Sequence, residues 1–420
     1  MATILENKKK DWFYIILSPI AGFLLIGFYL LIKQLSGGSD EIALLSTFLV
    51  YAICFDVRHL FSTYTRTLLD KSYYSENKRW LIWTFLCIIG LPLLALVFVK
   101  DEAYYFGTGA VFLFIFRVTT ILGLYHLIKQ NWGFMAIYKK KANEPQTTSE
   151  KWEKLMLLSG SFLPLIILTI DSPAWFEYDK VYLYPESYLE ERIHHLFFQL
   201  GLITCLIGIL LLALSQMKSF ELFKTIFRNL GLYFVAIFIA VLGFLNLGVE
   251  TLDYILGIVG SIFIISTCIT LATTWKTIHT NPQKWFVLVA SLILYNGVLL
   301  SPIENKYILI MAITIPHNIQ YLAFVNFFNR KYYSSSNTDY GLVKTISQKV
   351  GVFVLVSFGY ALLYELFRTG SKFMNWGDPT INYIIANYIA VFFLSMSLHH
   401  YFLDAIIWRV RSDKKISESV

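Results

Sequence analysis

Apolar runs about twenty residues long recur from one end of the chain to the other, and this feature restricts the fold more than any other. A run of that length crosses roughly 30 Å of hydrocarbon as a helix. Inside hydrocarbon only helices and closed barrels satisfy their own backbone groups. Taken in order, the runs fall near 11–34, 41–65, 80–99, 105–130, 155–171, 192–215, 229–249, 252–274, 285–301, 307–329, 347–368 and 381–408. They predict an all-α fold, a polytopic integral membrane helix bundle of about twelve transmembrane helices. Little chain is left between them, so residues 1–420 are read as a single transmembrane domain with no separate soluble domain. With 56% hydrophobic and 15% charged residues, a soluble fold would carry a very large exposed apolar surface.

The formal net charge is +7, but where the charges stand says more than their sum. Basic connections at 66–79, 139–154, 218–228, 276–284 and 330–349 alternate with connections bearing Asp40-Glu41, Asp101-Glu102, Glu177 to Glu191, Glu250 and Glu304. Cationic loops stay on the cytoplasmic side during insertion. The alternation therefore supports twelve spans and places both termini in the cytoplasm, with a bacterial inner membrane as the expected location. Lys8, Lys9 and Lys10 precede the first run, which reads as a start-transfer helix. Aromatic clusters such as Trp12-Phe13-Tyr14 and Tyr332-Tyr333 crowd the span ends, as interfacial belts do. Cys54, Cys87, Cys205 and Cys268 fall inside apolar runs without paired spacing and suggest neither a disulfide frame nor a zinc finger. No basic domain stands outside the spans, which argues against a nucleic-acid partner.

Histidine supplies the strongest functional signal. His59, His126, His317 and the pair His399-His400 stand within or close to apolar runs, where ionisable groups are expensive and usually functional. All lie on even-numbered spans, and each precedes a cytoplasmic basic residue by about twelve positions, which at 1.5 Å per residue gives roughly one common depth. Four helices presenting imidazole at one level is what a metal site in a bundle core requires. Each histidine has a polar neighbour at helical spacing: Asp56, Gln130, Gln320 and Asp404. Asp56 and Asp404 are the candidate catalytic residues, as further ligands or as partners that orient an imidazole. His59, His126 and His317 are candidate ligands, and the fourth is His399 or His400, since adjacent residues point to different sides of a helix. Glu191 and His195 form a weaker pair near the outer start of the sixth run. Arg117 and Glu365 are costly charges inside spans, and a mutual salt bridge is one way to accommodate them. Arg58, Arg66, Lys129, Arg330 and Arg409 gather near one cytoplasmic level, which suits an anionic headgroup and equally suits positive-inside anchoring.

Several neutral imidazoles with one or two carboxylates fit iron that activates oxygen, with zinc or haem as alternatives. The histidine segments read DVRH at Asp56–His59, YHLIKQ at Tyr125–Gln130, PHNIQY at Pro316–Tyr321 and LHHYFLD at Leu398–Asp404. In plan, not in motif, this resembles the Brp/Blh carotenoid-cleaving dioxygenases, whose iron is held by histidines from several membrane helices, and the membrane fatty-acid desaturases and hydroxylases. No HxxxH or HxxHH box of the desaturase kind is present. The resemblance implies a membrane non-haem iron oxygenase, desaturase or hydroxylase. Its substrate would be a lipid or another hydrophobic molecule, and its electrons would come from a separate donor. The rival expectation is a twelve-span secondary transporter, in which buried His, Asp and Arg bind protons or substrate.

Overall fold

The computed structural model describes residues 3–98, 106–144, 149–171, 206–211, 249–275, 277–334, 338–370 and 379–408, with isolated positions between 215 and 234. Every regular element among these residues is helical. The principal helices are α1 (Pro19–Leu35), α2 (Asp40–Tyr51), α3 (Val57–Thr67), α4 (Lys71–Phe85), α5 (Leu91–Phe98), α6 (Phe106–Lys141), α7 (Ser149–Asp171), α8 (Val249–Thr274), α9 (Pro282–Leu299), α10 (Lys306–Ser334), α11 (Leu342–Gln348), α12 (Val350–Gly370) and α13 (Pro379–Ile407).

Among the described residues, five helical stretches are long and apolar enough to cross a membrane: Lys71–Val97, Tyr254–Thr274, Lys306–Tyr333, Val350–Gly370 and Ile384–Ile407. A sixth is formed if Lys8–Ile16 and Pro19–Leu35, bent by 49°, count as one broken span. The chain thus has the helices an integral membrane protein needs. The expected runs at 192–215 and 229–249, the acidic connection that follows 171, and Glu191 with His195 lie largely or wholly outside the described residues.

Local chemistry explains most of the boundaries. The turn between α1 and α2 is made by Gly37 and Gly38, both at positive φ (69° and 94°), where a side chain would strain the backbone. Ser39 then caps α2 by accepting from the Ile42 N–H at 3.3 Å. Asp70 caps α4, accepting from the Tyr73 N–H at 3.0 Å and from the Tyr333 hydroxyl at 2.9 Å, which ties the start of α4 to the end of α10. Because of that cap α4 begins at Lys71, ahead of the apolar run expected at 80–99: KSYYSENKR is polar, yet helical. In the same way α6 continues through NWGFMAIYKKK to Lys141, about 54 Å of helix at 1.5 Å per residue.

Two helix interruptions stand immediately before histidines. One turn of π-helix, Ala52–Asp56, joins α2 to α3 just ahead of His59. In α10, Pro316 lacks an N–H and so leaves the Ala312 carbonyl without its helical donor, one residue before His317. Gly22 of α1 packs on that carbonyl so closely that a Cβ there would stand 2.4 Å from the Ala312 oxygen. The two helices are held together where α10 is weakened.

The two largest apolar clusters among the described residues hold the bundle. One is built from Leu25, Leu127, Leu157, Leu288 and Ala312 with their neighbours on α1, α6, α7, α9 and α10. The other gathers Leu60, Leu81, Val118, Ala361 and Leu398 on α3, α4, α6, α12 and α13. A buried ion network staples the first: Lys284 lies 2.6 Å from Glu144 and 2.8 Å from Glu153, and Lys139 lies 2.8 Å from Glu153. Such a network is strongly destabilising to break from one side, because the remaining charges stay buried. Helix α3 packs on α10, α12 and α13, and α13 packs on α6, so the four histidine-bearing helices meet where the clusters adjoin.

Candidate metal centre

His59 from α3, His126 from α6, His317 from α10 and His400 from α13 converge in one place. A single candidate ligand atom from each lies within 4.8 Å of all the others. His59, His317 and His400 are buried, and His126 keeps a side-chain exposure of 12%. The rings meet edge to face, with centroids 4.3 Å apart for His59–His400, 4.6 Å for His59–His317, 4.8 Å for His126–His317 and 5.2 Å for His126–His400.

Metal–imidazole bonds of 2.0–2.1 Å put nitrogen atoms about 3.4 Å apart in a tetrahedral site, and about 3.0 or 4.2 Å apart at cis or trans octahedral positions. His59 Nε2 and His317 Nε2 stand 3.0 Å apart. An ion would draw the widest pairs inward by about half an ångström, a side-chain adjustment and not a backbone one. A hydrogen bond between two neutral imidazoles accounts for the His59–His317 pair by itself. It does not account for His126 Nε2, His317 Nδ1, His400 Nε2 and Asp404 Oδ2, which are all buried without a hydrogen-bond partner. Orphaned polar atoms of this kind are uncommon in native cores, and several together call for a ligand or ion.

The hydrogen bonds around His400 explain how its free nitrogen is held. Thr63 Oγ1 donates to Asp404 Oδ1 at 2.8 Å, so its lone pairs remain to accept from the His400 Nδ1–H at 2.6 Å. That tautomer leaves the His400 Nε2 lone pair facing the other rings. Tyr321 donates its hydroxyl to Asp404 Oδ1 at 2.7 Å and accepts from the Trp408 indole N–H at 2.9 Å. Asp404 Oδ2 is left 3.6 Å from His400 Nε2 and 3.7 Å from His126 Nε2. These contacts are too long for hydrogen bonds and of the order of ligand–ligand spacing around one ion.

Asp56 reaches the same region from another side. The π turn carries it next to α3, where its Oδ1 accepts from the Tyr51 hydroxyl at 2.8 Å. It lines a small cavity with His59, Thr314, His317, His400 and Tyr401. The cavity volume is about 30 Å³, enough for an ion and a water, since a single water needs about 10–15 Å³.

Of the candidate ligands only His399 is turned away. Its ring nitrogens face Thr84 Oγ1 at 3.1 Å and the Tyr64 hydroxyl at 3.5 Å, so it joins α13 to α4 and α3. Gln130 and Gln320 do not reach the centre either. Gln130 donates to the His317 carbonyl and to Gln320, each at 3.0 Å, and Gln320 donates to the Ile15 carbonyl at 3.0 Å. Glu365 pairs with Arg368 on its own helix at 2.6 Å, and the Arg117 side chain lies outside the described ones. Thr63, Tyr321 and Trp408 were not singled out in the sequence. Each stands four residues after a site residue, His59, His317 and Asp404 respectively, and that one-face spacing is the signal that could have found them.

Fold and site together define a class: a helical membrane protein with a candidate four-histidine metal centre inside its bundle. No protein-family model, no curated protein and no solved structure matches the chain.

Proposed function

We propose that this protein is a membrane-embedded non-haem iron oxygenase, of the desaturase, hydroxylase or dioxygenase kind, acting on a lipid or another hydrophobic substrate. The reading includes twelve spans, both termini in the cytoplasm, a bacterial inner membrane and, for a desaturase or hydroxylase, a separate electron donor. One observation carries it: four imidazoles from four helices share a buried site, with ligand atoms within 4.8 Å of one another and several of them unpartnered. The plan resembles that of the Brp/Blh-type dioxygenases, whose iron is held by histidines of several membrane helices.

Iron held there would supply oxygen activation, chemistry for which neutral imidazoles and open positions are suited. Zinc accepts the same donors. Haem does not suit the site, because rings 4.3–5.2 Å apart around a cavity of about 30 Å³ leave no space for a porphyrin. The chain's own residues hold and orient. Thr63 fixes the His400 tautomer, Asp404 turns its free oxygen toward His126 and His400, and Asp56 stands on the cavity wall as an acid or base. Leu60 and Leu127 are the aliphatic part of an otherwise largely polar lining.

Secondary transport is the second reading, favoured by the buried Glu365 with its half-buried partner Arg368 and by Asp56, groups of the kind that bind protons or substrate in a membrane. Metal analysis of detergent-purified protein separates the two. The parent and His399→Ala should hold near-stoichiometric iron, and His59→Ala, His126→Ala, His317→Ala and His400→Ala should lose it. A folded parent that takes up neither iron nor zinc on reconstitution overturns the oxygenase reading and directs attention to transport.

A further inference from the structure

Arg66, in the last turn of α3, is a buried cation that the metal centre does not account for. It is 4% exposed and makes no ion pair with any described residue, and its Nε and Nη1 atoms are buried without an acceptor. Its guanidinium lies 4.4 Å from the Phe328 ring, 4.7 Å from Trp408 and 5.7 Å from Tyr332. Aromatic faces stabilise a cation, but they leave its in-plane N–H donors unused. A guanidinium held in that way offers a fixed fork, the geometry that matches carboxylate and phosphate oxygens. Tyr332 and Trp408 are each half-buried, so the box meets the surface on their side.

The box is joined to the metal centre. The indole that lies against Arg66 donates to Tyr321, and Tyr321 donates to Asp404. Arg66 also follows His59 by seven residues, two turns along the same face of α3, or about 10 Å at 1.5 Å per residue.

We propose that Arg66 binds the oxyanion head, a carboxylate or phosphate, of an amphiphilic substrate whose hydrocarbon chain extends to the four-histidine centre. This rests on the metal-centre reading above and deepens it. The head is held two turns of α3 away from His59, so the reaction falls on the chain and not on the head.

The test is equilibrium binding by native mass spectrometry, with delipidated, iron-loaded full-length protein in a non-ionic detergent. The probes are oleate, methyl oleate and oleoyl lysophosphatidate, on the parent, Arg66→Gln and Lys129→Gln, with iron content measured on each sample. At least one anionic probe should bind the parent tenfold or more tightly than methyl oleate. Arg66→Gln should lose that preference while keeping its iron, and Lys129→Gln, which removes another cation of the same cytoplasmic level, should keep both. Which of oleate and lysophosphatidate binds better distinguishes carboxylate from phosphate. Equal binding of charged and uncharged probes to the parent overturns the proposal, and so does a preference that survives in Arg66→Gln. The parent comparison needs no variant, so poor folding of Arg66→Gln leaves the test intact. Absence of iron with the Arg66-dependent preference retained counts against the metal centre alone.

Discussion

Replacing Thr63 by valine removes one hydroxyl at nearly constant volume, and the structure sets what that should cost. The hydroxyl accepts from His400 Nδ1 at 2.6 Å and donates to Asp404 Oδ1 at 2.8 Å. Without it the His400 N–H has no acceptor, and Asp404 Oδ1 retains only the Tyr321 donor at 2.7 Å. A buried polar group left unpaired costs about 1–3 kcal/mol. Loss of a group that orients a metal-bound histidine typically lowers metal affinity by about 10–100-fold, which is about 1.4–2.7 kcal/mol and the same range. Thr63→Val should therefore weaken iron or zinc binding by one to two decades (about 10–100-fold) in a chelator competition on detergent-purified protein. Thr63→Ser, which restores the hydroxyl, should remain close to the parent. Thr65→Val is the control, because that hydroxyl only bonds back to the Ser62 carbonyl at 2.6 Å on its own helix. If Thr63→Val matches the parent while His400→Ala loses metal, the orientation of His400 does not depend on this bond and the reasoning fails.

Other parts of the molecule carry expected outcomes of their own. Lys284→Met leaves Glu144 and Glu153 with Lys139 as their remaining cation, and breaking a buried network from one side costs about 3–5 kcal/mol; thermal unfolding in detergent reads it, and a midpoint unchanged from the parent counts against the network as a staple. Gly22→Val places a Cβ where the Ala312 carbonyl now sits, so α1 must move off α10 at a cost of about 1–3 kcal/mol, and metal affinity should fall with stability because His317 follows the Pro316 break; a variant with parental unfolding and affinity would refute this coupling. Glu6 is held below the ordinary carboxylate range by the hydrogen bond from Lys10 and by Arg330 on α10. Its contribution is therefore full above the unfolded carboxylate value near pH 4.3, at about the usual glutamate pKa, and is lost as pH falls through the lower folded one. Hydrogen exchange over residues 3–7 should accelerate beyond the intrinsic rate on that descent, and Glu6→Gln should abolish the pH-dependent part; an unaltered profile in the variant rejects the assignment.

The candidate site was legible in the sequence where an ionisable residue interrupts an apolar run, since hydropathy makes such a residue conspicuous. His59, His126, His317 and Asp404 are of that kind, and the structure brings all four together. The choice between His399 and His400 was not legible. Adjacent helical residues point about 100° apart, and which of them faces inward depends on Thr84 and Thr63 of other helices. Thr63 carried no signal of its own, because threonines in these helices mostly bond back to the preceding turn, as Thr65 does to Ser62 and Thr67 to Thr63. Tyr321 and Trp408 resemble the interfacial aromatics found at many span ends, and only their four-residue spacing from His317 and Asp404 sets them apart.

Helix interruptions show why periodicity alone stops short of the site. A uniform helix through 41–65 would fix the angular offset of His59 from the residues of α2, and the π turn at Ala52–Asp56 alters that phase by widening the helix just before His59. Pro316 performs a similar service for His317, and it is tolerated because Gly22 lets α1 close over the carbonyl that the proline leaves without a donor. Neither π turn nor glycine contact changes mean hydropathy, so a scan for spans passes over both. Both nevertheless bear on the direction in which an imidazole points, and a shared metal site depends on that direction. Depth in the membrane is thus a property of composition, which the chain displays residue by residue. Aim is a property of irregularities, which acquire meaning only once the neighbouring helix is in place.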